Sequence, residues 1–202
     1  MKRRIGILGG TFNPVHNGHL RLALIMKESL GLEKVILIPD YMPPHKDGPE
    51  GASVDDRVSM LREAAEGVPF LEIDTSELER GGKSYTYYTL KYLTEKDGSA
   101  EYYFLTGSDM FLTLNEWYRY EDIMKMAVFC AVPRSEDDAE RLKEKKKEYD
   151  ERGFKTCVLD AEPMVLSSSE IREKIENGES IEGLVPEKVR GYIMEKGLYG
   201  KN

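Results

Sequence analysis

Cysteine is scarce in this 202-residue chain. There are two, Cys130 and Cys157, too few for a disulfide framework and without the paired spacing of a metal site. Both lie in apolar runs that read as strands, so buried free thiols are the simplest expectation. No apolar run approaches the ~20 residues that span a bilayer, and no membrane segment is expected. The first strand is too short, and too soon followed by Gly and Asn, to read as a signal peptide, so a cytoplasmic location is expected. Excess positive charge is missing as well. The net charge of −8 argues against a binder of nucleic-acid polymers, while leaving room for a local pocket that takes small anions. Internal repeats, low-complexity tracts and clear linkers are lacking too. With 40% hydrophobic and 33% charged residues the composition is globular. The length fits a single domain over 1–202, with C-terminal helices from about 167 packed on it.

Strand-like and helix-like segments alternate. The apolar runs at Arg4–Leu8, Lys34–Ile38, Phe70–Ile73, Glu101–Thr106, Ala127–Val132 and Thr156–Leu159 read as strands. Helical patterns begin at Leu20, after an N-cap at Ser53, near Thr86, around Phe111–Met126, over Glu136–Arg152, after Ser167 and from Pro186. The Lys/Glu-rich stretch over Glu136–Arg152 is most simply a solvated helix face. This alternation predicts an α/β fold: a Rossmann-like, doubly wound parallel sheet with helices on both faces and a small C-terminal helical segment. Ligands of such sheets bind beyond the carboxyl ends of the strands.

The chemically distinctive segments fall at those ends. Gly9-Gly10-Thr11-Phe12-Asn13-Pro14-Val15-His16-Asn17-Gly18-His19 joins the first strand to the first helix. Glycines admit close approach of backbone amides to a ligand, and a helix start favours an anion. His16 and His19 stand at that helix start. The bland reading is a pair of capping histidines. Against it, all three histidines of the chain, His45 included, fall in loops on one side of the sheet. A metal reading of the pair lacks a third ligand at usable spacing. After the second strand, Pro43-Pro44-His45-Lys46 offers a lysine on a stiffened loop, either a solvated side chain or a point charge for phosphate. Ser167-Ser168-Ser169-Glu170-Ile171-Arg172 reads as a capping box, Ser167 with Glu170, and equally as an anion site. Trp117, flanked by Tyr118 and Tyr120, is either a core anchor or a stacking surface for a flat heterocycle.

These segments, together with Ser84-Tyr85-Thr86, Gly107-Ser108-Asp109 and Leu184-Val185-Pro186 near the end, occur in the order seen in bacterial nicotinate mononucleotide adenylyltransferases. The resemblance covers essentially the whole chain. Its His-x-x-His element marks the wider nucleotidyltransferase superfamily, while Ser84–Thr86 and Trp117 point to the pyridine-nucleotide branch. The resemblance implies transfer of AMP from ATP to nicotinate mononucleotide. It implies an ATP site of Gly9, Gly10, Thr11, Phe12, His16, His19, Gly107, Asp109, Ser168 and Arg172. It implies a pyridine mononucleotide site of Asn13, Lys46, Ser84, Tyr85, Thr86, Trp117 and Tyr118. The catalytic roles fall to His16, His19, Lys46 and Arg172, with both imidazoles expected to be biased towards protonation by nearby phosphate. Magnesium is expected to arrive with ATP, without dedicated protein ligands. A homo-oligomer is compatible with the sequence but not specified by it. Three positions depart from the family pattern: Tyr88 where an acidic residue is common, Ser169 where threonine is common, and Arg134 without a following Pro-Gly. Competing readings are another adenylyl- or cytidylyltransferase, with nicotinamide mononucleotide or pantetheine phosphate as acceptor, and a non-catalytic nucleotide sensor on the same fold.

Overall fold

The computed structural model describes residues 2–43, 51–133, 135–159 and 166–200. Strands β1 (Arg4–Gly10), β2 (Lys34–Pro39), β3 (Leu71–Ile73), β4 (Glu101–Thr106), β5 (Ala127–Ala131) and β6 (Thr156–Val158) form one sheet in the order β3-β2-β1-β4-β5-β6. Every pairing is parallel. Among the described residues the helices are α1 (Asn17–Leu30), α2 (Val54–Ala65), α3 (Ser76–Arg80), α4 (Thr86–Lys96), α5 (Ser108–Leu112), α6 (Tyr120–Met126), α7 (Glu136–Glu151), α8 (Ser168–Glu176) and α9 (Glu187–Lys196).

The strands are buried on both faces, and their side chains alternate between two cores, as a period of two requires. Ile5, Ile7, Ile36, Ile38, Tyr102, Phe104 and Phe129 enter one core, under α4, α5, α6 and α7. Leu8, Val35, Leu37, Tyr103, Leu105 and Cys130 enter the other, under α1, α2, α8 and α9. The second core includes Ile171, Val189 and Ile193 of the two C-terminal helices. Gly6 on that face faces Leu32 and Val35 so closely that a Cβ would sit 2.9 Å from the Leu32 side chain. Cys130 is buried and Cys157, its register partner on β6, is half-buried, and both are free thiols.

β1 is central. Its chain leaves towards β2 on one side, while β4 leads to β5 on the other, so the carboxyl ends of β1 and β4 diverge into a crevice. Two expectations change in detail. β1 runs two residues beyond Leu8, so Gly9 and Gly10 are still strand, in register with Ile38 and Pro39, and the turn proper begins at Thr11. The stretch before Ser84, where the sequence shows no helical pattern, contains α3, whose five residues are too few to show a helical period. The Phe111–Met126 region resolves into α5, a 3-10 turn at Leu114–Glu116, and α6.

The C-terminal segment is tied to the rest of the molecule by half-buried polar contacts. Tyr199 donates its hydroxyl to Asn13 Oδ1 at 2.7 Å, and Tyr192 donates to Asp56 Oδ1 at 2.9 Å. Burial raises the Tyr199 phenol, so it stays a donor at ordinary pH. Tyr199→Phe should therefore cost about 1 kcal/mol. Urea unfolding of the two proteins checks this, and equal midpoints would show that the hydrogen bond contributes nothing net.

Candidate active site

The turn from β1 to α1 is held through its carbonyl oxygens. Asp40 N–H donates to Gly10 O at 3.0 Å, and Arg57 Nη1 donates to Thr11 O at 2.7 Å. Arg172 Nη1 donates to Asn13 O and Ser168 Oγ donates to Pro14 O, each at 2.9 Å. Four of the turn's carbonyls are thus satisfied by residues from the end of β2, from α2 and from α8. Asn17, the first residue of α1, donates its N–H to Leu184 O at 2.9 Å. Within the turn Phe12 has φ of +49°, a left-handed conformation that is costly for a bulky side chain. Its ring is buried, and it meets His19 edge-on with centroids 5.0 Å apart.

Arg57 is the central clamp. It is 4% exposed and also donates Nη2 to Asp40 O at 2.8 Å, with the Asp40 carboxylate 3.6 Å from Nη1. Asp40 in turn accepts the Thr11 hydroxyl at 2.8 Å. One guanidinium therefore joins the carboxyl ends of β1 and β2, using the planar fork that lysine lacks.

His16 is the N-cap of α1, and its N–H donates to His19 Nδ1 at 3.2 Å. That bond leaves the His19 proton on Nε2 in the neutral ring. The two rings stack at 3.7 Å with a 27° interplanar angle. His16 is 5% exposed, and its Nδ1 has no hydrogen-bond partner among the described residues. Burial pushes His16 down to about 4, against a smaller upward pull from Glu170. Burial, reinforced by His16, pushes His19 well below the ordinary imidazole range. In the protein by itself the shift runs opposite to the one expected beside phosphate: desolvation lowers both rings.

The crevice has a volume of about 1110 Å³. It brings together Gly9, Gly10, Thr11, His16, His19, Gly107 and Ser168 with Ser84, Tyr85, Thr86, Trp117 and Tyr118. Trp117 is backed edge-on by Phe104 and Phe129, each 6.2 Å away. Tyr118 lies against Tyr85 at 4.8 Å and Tyr88 at 6.0 Å. Tyr88 also receives the Arg80 guanidinium at 5.7 Å, so an aromatic face meets this cation where an acidic side chain would be common. Capping at the other end is as the sequence implies: Ser167 Oγ accepts Glu170 N–H, and Glu170 accepts Ser167 N–H. Ser169 contributes a hydroxyl that accepts from Arg172 Nη2 at 3.2 Å.

Four expected ligand residues stand elsewhere. Phe12 is buried beneath the turn rather than lining the crevice. Asn13 is buried, and its Oδ1 already accepts from Ala52 N–H and the Tyr199 hydroxyl. Arg172 holds Asn13 O and Ser169 and is not part of the crevice wall. Asp109 is exposed on α5, outside the lining. His45, Lys46 and Arg134 lie outside the described residues. Conversely, Arg57, Asp40 and Glu77 belong to the site or its frame without having been singled out. For Arg57 a signal existed: it shares the helical face of Met60, Leu61 and Ala64, all buried, and a charge on an apolar face asks for a partner.

The cytidylyltransferase-like family profile matches residues 7–174 of the chain. A probable nicotinate-nucleotide adenylyltransferase of Listeria welshimeri is 43% identical over 201 residues, covering the whole of both chains. One of Lactiplantibacillus plantarum is 40% identical over 206 residues, covering 99% of this chain and 90% of that one. Among solved structures, a Plasmodium falciparum nicotinic acid mononucleotide adenylyltransferase complexed with NaAD aligns with a TM-score of 0.75 at 18% identity, covering 98% of this chain and 97% of that one. The structural likeness carries the fold.

The burial of His16 has a measurable consequence. Its folded value of about 4 lies below the ordinary 6.5, so the unfolded chain binds the proton first. Stability from this group is complete above 6.5 and is lost progressively as pH falls towards 4. Ring-proton NMR should give a His16 midpoint about 4 in the unliganded protein, with part of the acid-side stability loss removed in His16→Gln. A midpoint at the ordinary value of 6.5 would contradict the buried, neutral ring.

Proposed function

The chain belongs to the nicotinate-nucleotide adenylyltransferases of the cytidylyltransferase-like family, and we propose from that premise how its crevice transfers AMP from ATP to nicotinate mononucleotide, releasing pyrophosphate, in NAD biosynthesis. One observation carries the reading. A donor-lined helix start and an aromatic-lined helix start face one crevice across the gap between β1 and β4.

The nucleophile is the 5′-phosphate of the mononucleotide, whose second pKa is about 6. It is mostly ionised at neutral pH, and no general base is needed. The obstacle is the approach of two polyanions and the charge that grows on the departing pyrophosphate. Positioning and preorganised donors address both. We assign His16 and His19 to the ATP phosphates, as neutral donors at the positive end of α1. His19 would donate through Nε2, the nitrogen that the His16 amide leaves protonated. The amides of Thr11 and Ser168 extend this cradle, and Gly9 and Gly10, without side chains, let the ligand approach the strand end. Gly107, at the end of β4, is assigned to the adenosine side. Arg172 is assigned to shaping the turn, through Asn13 O, rather than to direct phosphate contact. Lys46 is assigned a phosphate on the sequence pattern alone.

At the other end, Trp117 is assigned to stacking on the pyridine ring. Thr86 opens α4, and the first amides of a helix have no partner within it. Such amides suit the carboxylate that distinguishes nicotinate from nicotinamide. Magnesium, when bound with ATP, neutralises phosphate charge. Beside its imidazoles, hydroxyls and amides the crevice wall carries Arg21 and the carboxylates of Asp40, Glu77, Glu116 and Glu170. The ion is assigned to the ATP phosphates it arrives with. No helix among the described residues is long and apolar enough to cross a membrane.

Pyrophosphate release with ATP and either mononucleotide tests the acceptor. The acid form should exceed the amide by at least about tenfold in kcat/KM, and equal values would remove the acid preference. His19→Ala should lower kcat by about 100-fold at saturating substrates. Unchanged turnover would end the role given to His19.

A further inference from the structure

Glu77 is a buried carboxylate in the crevice wall that the reaction as described does not use. It is 7% exposed and lies on α3, beside the end of the crevice formed by Ser84, Tyr85 and Thr86. Two hydroxyls donate to it. One is Thr89, on the first turn of α4, and the other is Ser84, two residues before that helix. Ser84 Oγ in turn accepts the N–H of Tyr41, beyond the end of β2, at 2.9 Å. The same segment is tied a second time by Ser84 N–H donating to Met42 O at 2.8 Å. A relay therefore runs from the Tyr41 amide through the Ser84 hydroxyl to the Glu77 carboxylate, which also grips Thr89.

A carboxylate is a costly choice for a purely structural tie, because burial penalises its charge. Burial indeed pushes the Glu77 carboxyl up, against the hydroxyl donors and Arg80, with Asp40 adding to the upward push. What the charge contributes is strength and direction: hydrogen bonds to an ionised acceptor are roughly twice as strong as neutral ones. It gathers both sides of the Ser84–Thr89 segment onto one point, and so sets the orientation of the α4 start.

We propose that Glu77 is a positioning residue for the acceptor nucleotide, holding the start of α4 through Ser84 and Thr89 so that its free amides face the pyridine end of the crevice. The proposal rests on the nicotinate mononucleotide reading above. It separates the two substrates, because the ATP cradle at the start of α1 has its own clamps in Arg57, Arg172 and Ser168.

Steady-state kinetics of the full-length protein tests this. Glu77→Ala should raise KM for nicotinate mononucleotide about tenfold, with KM for ATP within about twofold of the wild type. Ser84→Ala, which removes one link and no charge, should show the same split at about fivefold. Glu77→Gln keeps an acceptor for Thr89 without the charge and should recover part of the loss. The proposal is overturned if both KM values rise together, if neither moves, or if Gln is as poor as Ala. Should Glu77→Ala not fold, the Ser84→Ala and Glu77→Gln pair still decides. A wild-type enzyme that turns over another phosphorylated acceptor but not nicotinate mononucleotide would overturn the acceptor reading itself, and this proposal with it.

Discussion

The site depends on carbonyl oxygens being occupied. A chain that turns sharply from a buried strand into a helix exposes both donors and acceptors at its mouth, and an anion tolerates only the donors. Here Gly10, Thr11, Asn13 and Pro14 each give their carbonyl to a donor from another part of the molecule. Leaving such a buried acceptor unmet costs about 1–3 kcal/mol, so the arrangement is firmly held. Arg57 and Arg172 do this without lining the crevice. These two guanidiniums thus act from behind, while the crevice wall itself carries Arg21 and the carboxylates of Asp40, Glu77, Glu116 and Glu170 beside its imidazoles and hydroxyls.

This explains how an acidic protein can present an anion site. Burial lowers both His16 and His19, and their stacking makes two adjacent imidazoliums costly in the unliganded protein. Fixed dipoles in a partly desolvated crevice need no reorganisation as charge shifts onto pyrophosphate. The C-terminal helices belong to this design rather than to an appendage. α8 supplies Ser168 and Arg172, and the segment after α9 supplies Tyr199 to Asn13.

Much of this was legible in the residues. The apolar runs placed the strands, and the placement of the Gly9–His19 and Ser167–Arg172 segments at strand ends located the crevice. What residue types do not carry is direction. Asn13 and Arg172 sit in the right motifs, yet their side chains turn to the protein, because buried carbonyls and amides compete for them. Asp109 follows Gly107 by two residues but is exposed on α5, outside the crevice lining. Glu77 escaped notice because its helix has five residues and its partners, Ser84 and Thr89, are seven and twelve residues on. The direction in which the unliganded histidines shift was not readable either, because the depth of burial sets it.

The most direct test of the clamp is the affinity of Arg57→Lys for ATP, measured by titration calorimetry. Lysine keeps the charge, but a single ammonium cannot reproduce the planar fork that joins Thr11 O and Asp40 O. The account predicts a folded protein whose Kd for ATP rises at least about tenfold, although residue 57 does not line the crevice. A Kd within about twofold of the wild type would show that the turn keeps its shape unaided, and would contradict the account.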